Sequence, residues 1–243
     1  MAWTWLIVLA LVAACSAGPP GQDIWDPYEE RNRRVHEANK ALDQAVFGRR
    51  GDTGEEDAAL AVALRTGAGN LASNLALPRY MVNGLLQGRP DAVVENGFRL
   101  ILNTTLGLGG LFDPAASFGL HGRPTDFGET LHVWGAPEGA YLELPLLGPS
   151  TERDVVGAVV DLVLDPLAHS GLKVRERNAV VGTRFVARLG ERAEYSSVVE
   201  TTLYQSADSY AQARLLYLQN RRFALGATRD EDLFDPYEDL HGP

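Results

Sequence analysis

Cysteine is almost missing from this 243-residue chain, and Cys15 is the only one. A single thiol excludes both a disulfide framework and thiol catalysis. Positive charge is also short. Lys and Arg number 22 against 32 Asp and Glu, a formal net charge of −10. So acidic a chain is not a nucleic-acid binder, and charge does not draw it to anionic headgroups. Long apolar runs are missing as well. Residues 3–14 are apolar but fall short of the roughly 20 residues that a spanning helix needs. Nothing after Cys15 reads as a simple spanning helix, although hydrophobic content is an ordinary 45%. No long stretch alternates at strand period, so the class is mainly α.

Catalytic signatures are equally scarce. No Gly-x-Ser-x-Gly occurs. Gly107-Leu108-Gly109-Gly110 follows a helical pattern and lacks a phosphate-binding Lys and Ser/Thr. Asp126, Glu129 and His132 share a helix face, but a di-iron bundle needs a second Glu-x-x-His, and the chain has none. Asp126 as a helix cap and Glu129 as a surface residue account for that pattern. The expectation is no enzyme, no metal and no cofactor.

What is present begins with Trp3–Ala14, WTWLIVLALVAA, followed directly by Cys15. The length fits the apolar core of an export signal, although no Lys or Arg precedes Trp3. Val12-Ala13-Ala14-Cys15 is similar to the lipobox of bacterial lipoproteins. Residues 1–14 are therefore read as a signal peptide, and Cys15 as the acylated first residue and lipid anchor. Residues 15–25 form a Gly/Pro tether. Ser16, in place of Asp, favours the outer membrane under the sorting rule of such lipoproteins.

The body of 26–225 reads as helices. Asp26-Pro27-Tyr28-Glu29 has the form of a capping box, opening a helix with an apolar stripe of Val35, Ala38, Leu42 and Val46. Residues 48–54 read as a charged loop and 55–66 as an Ala-rich helix. A further helix over 68–87 is interrupted at Pro78. The helix over 90–106 is apolar round most of its circumference and about 25 Å long, short of the roughly 30 Å hydrocarbon core. Residues 107–120, GLGGLFDPAASFGL, are too rich in glycine for a regular helix and too apolar for a solvent loop. They suit either a buried loop or a turn dipping into lipid. Asp126 caps a helix ending at Trp134. Residues 135–150 read as extended, and Ser150 caps a second nearly all-apolar helix. Helices follow over 173–189 and, as one long element, 192–223. Residues 226–243 are acidic and read as disordered.

The central block identifies a family. Residues 73–115, SNLALPRYMVNGLLQGRPDAVVENGFRLILNTTLGLGGLFDPA, and 126–154, DFGETLHVWGAPEGAYLELPLLGPSTERD, resemble the MlaA (VacJ) family of outer-membrane lipoproteins. Order and spacing match from Asn74 to Asp154. Departures include Arg31 before Asn32-Arg33, His36 and Ala38 where aromatics are common, Phe98-Arg99 in inverted order, His132 for Gly, Ala140 for Pro, and the stretch 48–57.

The resemblance implies a ring of short apolar and amphipathic helices embedded in the periplasmic leaflet of the outer membrane, with a Gly-rich hairpin and a long C-terminal helix. A polar channel would pass mislocalised phospholipids from the outer leaflet to a periplasmic phospholipid carrier, beside trimeric porins, maintaining lipid asymmetry. Gly107, Gly109 and Gly110 would belong to a gate, or would let two helices pack tightly. Asn103 would face the channel or cap the turn. Arg79 and Arg99 would meet lipid phosphates, or stand as solvated arginines. The rival reading is a non-catalytic scaffold lipoprotein with a polar exterior, held only by its acyl chains.

These readings separate on one observation. A Cys15→Ser protein that is still exported is expected to require detergent. A monodisperse, water-soluble product in size-exclusion chromatography would refute an embedded body.

Overall fold

The computed structural model describes residues 18–19, 23–47, 55–169 and 195–226, with scattered positions between 171 and 192. Residues 1–14, Cys15, most of the tether, the loop at 48–54 and the tail from 227 lie outside the described residues. The elements are α1 (Glu29–Phe47), α2 (Glu55–Leu86), α3 (Pro90–Thr105), α4 (Pro114–Ser117), α5 (Phe127–Val133), β1 (Tyr141–Leu144), β2 (Gly148–Thr151), α6 (Glu152–Leu164), α7 (Ser196–Glu200) and α8 (Ser209–Ala224). A 3-10 turn follows α6 at Pro166–His169. α3 packs on α2, α6 on α5, α1 on β1, and α8 on β2. The class is mainly α, and among the described residues no helix is long and apolar enough to cross a membrane.

Three of these helices bury polar side chains and expose apolar ones. On α3 the buried positions are Ala92, Asn96, Arg99 and Asn103. Their spacing of four, three and four residues makes one face. The opposite face carries Val94, Phe98 and Ile101, each more than half exposed. α1 repeats the inversion: Asn32 and His36 are buried, while Leu42 and Val46 of its apolar stripe are exposed. α6 buries Arg153 and Asp161 and exposes Val159, Leu162 and Val163. Buried polar side chains outnumber buried apolar ones among the described residues. The dry core is correspondingly small. One part joins Phe127, Leu131, Val156 and Val160, and another joins Tyr141, Tyr210 and Leu218.

Several expectations from sequence are corrected. α2 runs unbroken for 32 residues through Pro78, in place of two helices. Proline costs one ladder bond inside a helix, and Ala76 and Leu77 just before it are buried. The long C-terminal helix is instead broken. α7 passes into a π-helical turn over Thr201–Gln205, Ser206 is extended, and Asp208 caps α8 by accepting from the Ala211 N–H at 3.0 Å. Arg33 on α1 fixes that cap with two bonds of 3.0 and 2.9 Å. The same guanidinium lowers the Asp208 carboxyl to about 2. The expected Asp26 capping box is also absent. Asp26 accepts from Asn32 at 2.9 Å, Arg214 at 2.5 Å and the Tyr210 hydroxyl, so it binds the start of the domain to α8. Thr151, one residue after the expected Ser150, caps α6. The segment 135–150 supplies a small antiparallel hairpin, with Tyr141 opposite Thr151 and Leu144 opposite Gly148. Between 175 and 187 the described positions are helical.

Asparagines close what the hairpin leaves open. Asn32 donates to the Tyr141 carbonyl at 3.0 Å and accepts from the Glu143 N–H at 3.1 Å. Seven residues on, Asn39 donates to the Leu144 carbonyl at 2.9 Å and accepts from the Leu146 N–H at 2.8 Å. Two helical turns thus stand in for a third strand along the free edge of β1.

Asn32→Ala leaves two buried peptide groups unpaired, each costing about 1–3 kcal/mol. We expect a loss of about 3 kcal/mol in thermal unfolding in detergent. Asn39→Ala, nearer the surface, is expected to cost about 1 kcal/mol.

Candidate functional site: a polar cleft and its glycine turn

The polar interior opens as a cleft of about 520 Å³ lined by α2, the start of α3, residues 122–126, the start of α5 and the end of α8. Four arginines face it, Arg79, Arg89, Arg123 and Arg221, with Gln87, Thr125, Asp126 and Glu129.

Three of the arginines are committed. Arg221 is gripped between Asp126 at 2.8 Å and Asp154 at 2.7 Å. Arg89 meets Glu129 at 2.5 Å. Arg123, well exposed at the rim, lies between Asp91 at 3.4 Å and Glu95 at 3.3 Å. Arg79 is held least. Its Nη1 lies 4.0 Å from Asp161 Oδ2, and its buried Nε has no hydrogen-bond partner among the described residues.

The two neighbouring aspartates differ in state. Burial pushes the Asp126 carboxyl up, but the hydrogen bonds and charge of Arg221 outweigh it and hold the group below its usual range. For Asp161 burial wins. Its carboxyl is raised by burial and by the neighbouring Asp126 charge, despite bonds from Asn83 and the Phe127 N–H and the charge of Arg79.

A chain of short hydrogen bonds crosses behind the cleft. Asn83 donates to Asp161 at 2.8 Å and accepts from Thr130 at 2.9 Å. Gln87 donates to Thr130 at 2.9 Å and to Thr125 at 2.7 Å. Thr125 then donates to Glu129 at 2.7 Å. The path joins α2, α5 and α6, so the polar wall is one connected body. Gln87 Oε1 is buried with no partner among the described residues.

Of the expected channel, gate and phosphate-contact residues, only Arg79 lines this cleft, beside Asp126 and Glu129 of the Asp-Glu-His pattern. Arg99 is buried, pairs with Asp113 at 2.8 Å and donates to the Leu120 carbonyl. Asn103 donates to Asp113 at 2.9 Å and accepts from the Ala115 N–H at 3.1 Å, so it pins the segment after α3. Asp126 caps α5 as expected. Glu129, expected on the surface, is mostly buried and paired with Arg89. Among the described residues, no three His, Cys, Asp or Glu could together hold a metal.

The glycine turn is tied inward and greasy outward. Gly109 N–H donates to Thr104 at 3.0 Å, and Phe112 N–H to Gly107 at 3.0 Å. Asn70 and Asn74 hold the Leu111 and Gly109 carbonyls from α2. Leu106, Leu108, Phe112 and Phe118 all point outward and are more than half exposed. The glycines are not equivalent. A Cβ on Gly107 would strike the Phe112 and Asn103 carbonyl oxygens. Gly109 has φ +76° with open space around it, whereas Gly110 has φ +100° and lies against Asn74.

Sequence reasoning passed over Asn74, Asn83, Gln87 and Asp161. The usable signal was asparagine recurring seven apart, at 32 and 39 and at 96 and 103, inside helices where its propensity is poor.

Gly107→Ala is therefore expected to lower the unfolding midpoint by several degrees. Gly109→Ala meets no atom and is expected to cost only the left-handed backbone penalty, about 1 kcal/mol. Thermal melts of the two variants side by side check this.

The comparisons with known proteins agree on one group. The family model described as MlaA lipoprotein matches residues 24–224. The chain is 31% identical over 216 residues to the intermembrane phospholipid transport system lipoprotein MlaA of Escherichia coli (strain K12), covering 88% of this chain and 83% of that one. It is 31% identical over 201 residues to an uncharacterized protein of Rickettsia bellii, covering 82% and 76%. A solved structure described as the structural basis for maintenance of bacterial outer membrane lipid asymmetry superposes with a TM-score of 0.62 at 28% identity. That match spans 82% of this chain and 98% of the other. With 201 of its residues under one family model and relatives of 31% identity along most of its length, this chain belongs to the MlaA lipoprotein family.

Proposed function

We propose that this chain is a phospholipid transport lipoprotein of the outer membrane. Its body is embedded in the periplasmic leaflet and anchored there by an acylated Cys15. Mislocalised phospholipids leave the outer leaflet through the polar cleft and pass to a periplasmic carrier. Trimeric porins are the neighbouring proteins in the membrane. No bond is made or broken at this step.

The carrying observation is the inverted burial. Val94, Phe98, Ile101, Leu108, Phe112, Phe118 and Leu162 point outward while Asn, Arg and Asp side chains fill the interior. So much exposed apolar surface is costly in water, at about 25 cal/mol per Å². In hydrocarbon it is the favoured exterior. A scaffold held only by acyl chains would carry a polar exterior, so the observation supports the embedded body.

The polar wall suits a headgroup that must cross an apolar layer. Arg79 is its least-committed cation and is assigned to the lipid phosphate. Arg99 is given a structural role, because Asp113 and Leu120 already occupy its guanidinium. The turn of Gly107, Gly109 and Gly110 borders this body as its movable part, with Asn103 as its fixed hinge. The relatives named as phospholipid transport lipoproteins and the superposed structure support the same reading.

The test counts outer-leaflet phospholipid in a deletion strain. Its level is expected to rise on deletion, return to normal with the full chain, and stay high with Arg79→Gln. A strain whose outer leaflet is unchanged by the deletion overturns the proposal.

A further inference from the structure

Arg79 is the cleft arginine with the weakest local counter-ion, and that counter-ion is Asp161. The arrangement is asymmetric. Asp161 Oδ1 accepts from Asn83 at 2.8 Å, and Oδ2 accepts from the Phe127 N–H at 3.1 Å. Its carboxylate is held by α2 and by the start of α5 whether or not Arg79 is near. Arg79 is held more loosely: 4.0 Å separates it from Asp161, its guanidinium lies 5.6 Å from the Tyr80 ring centre, and its buried Nε–H donor has no partner among the described residues. By contrast, Arg221 and Arg89 are fixed by bonds of 2.5–2.8 Å. One cation of the cleft can therefore swing to another anion without stranding its partner.

We infer that Asp161 is an exchangeable counter-ion for Arg79, which a phosphodiester group entering the cleft displaces, and that it thereby sets how weakly the cleft holds that group. The inference rests on the phospholipid reading above and names the residue that tunes the same site. A transport site gains from such an arrangement. An arginine with no resident anion would bind a phosphate strongly through its planar fork, and tight binding would slow release. A resident carboxylate competes for the guanidinium and weakens the hold. Asp161 is a positioning residue on this account, for Arg79 alone meets the lipid.

The experiment uses the full chain in detergent micelles and titrates it calorimetrically with dihexanoyl phosphatidylglycerol and, separately, with inorganic phosphate. Asp161→Asn is expected to tighten the short-chain lipid about fivefold or more, the size of a partly screened charge interaction. Arg79→Gln is expected to abolish binding, and adding Asp161→Asn to it should change nothing further. Should Asp161→Asn fail to fold, Asp161→Ser keeps a neutral acceptor for the Phe127 N–H and is read in the same way.

Loss of binding in Arg79→Gln together with unchanged or weaker binding in Asp161→Asn overturns the counter-ion role while leaving the phosphate assignment intact. Unchanged binding in Arg79→Gln instead overturns that assignment. Tightening seen with inorganic phosphate but not with the lipid would make this a free-phosphate site and overturn the inference.

Discussion

A carboxamide offers a donor and an acceptor side by side, the complement of a peptide group, and Asn32, Asn39 and Asn96 each use both ends on the backbone of an irregular segment. Asn32 and Asn39 close the edge of β1. Asn96 does the same for Arg123, donating to its carbonyl and accepting from its N–H, both at 3.0 Å. Asn70, Asn74 and Asn103 secure the glycine turn and the residues after it. The constraint behind this is simple. A peptide group buried away from water must be paired, so the loops that pack inside need partners there. The helices supply them, one asparagine at a time.

That requirement dictates the inversion. Where α1 and α3 turn their amides inward, Leu42, Val46, Val94, Phe98 and Ile101 are left on the exterior. The interior then fills with groups that are costly when unpaired, and pairing becomes the main specification of the fold. The chain Asp161–Asn83–Thr130–Gln87–Thr125–Glu129–Arg89 and the clamp of Arg221 on Asp126 and Asp154 do for this protein what dry packing does elsewhere. The small apolar clusters around Leu131 and Tyr210 fasten the ends. The same distribution leaves a cleft walled by paired charges, the feature on which the proposed passage of a polar headgroup rests.

Much of this was legible in the residues. The mainly α class, the helix from Pro90, the cap at Asp126 and the greasy glycine turn after α3 all stood as read. Other features were not legible, for reasons that can be named. Periodicity divides a helix into two faces but is silent on which one is buried, so the apolar stripe of Val35, Ala38, Leu42 and Val46 on α1 gave no sign that Asn32 and His36 are the buried residues. Pro78 carries a local penalty that only the neighbouring helix could overrule. The break at 206–208 depends on Arg33, 175 residues away in sequence, reaching the Asp208 cap.

Composition and motif order alone determined the family and the absence of any spanning segment among the described helices. Those are properties of local runs and of residue order, which a sequence carries directly. Tertiary structure decided which face turns inward, and it separated two arginines that the sequence left equal. Arg99 is locked onto Asp113, whereas Arg79 keeps an unused Nε donor beside Asp161. The physical reason is that the availability of a charge depends on its distance from its partner, and such distances are set only when α2, α3 and α6 come together.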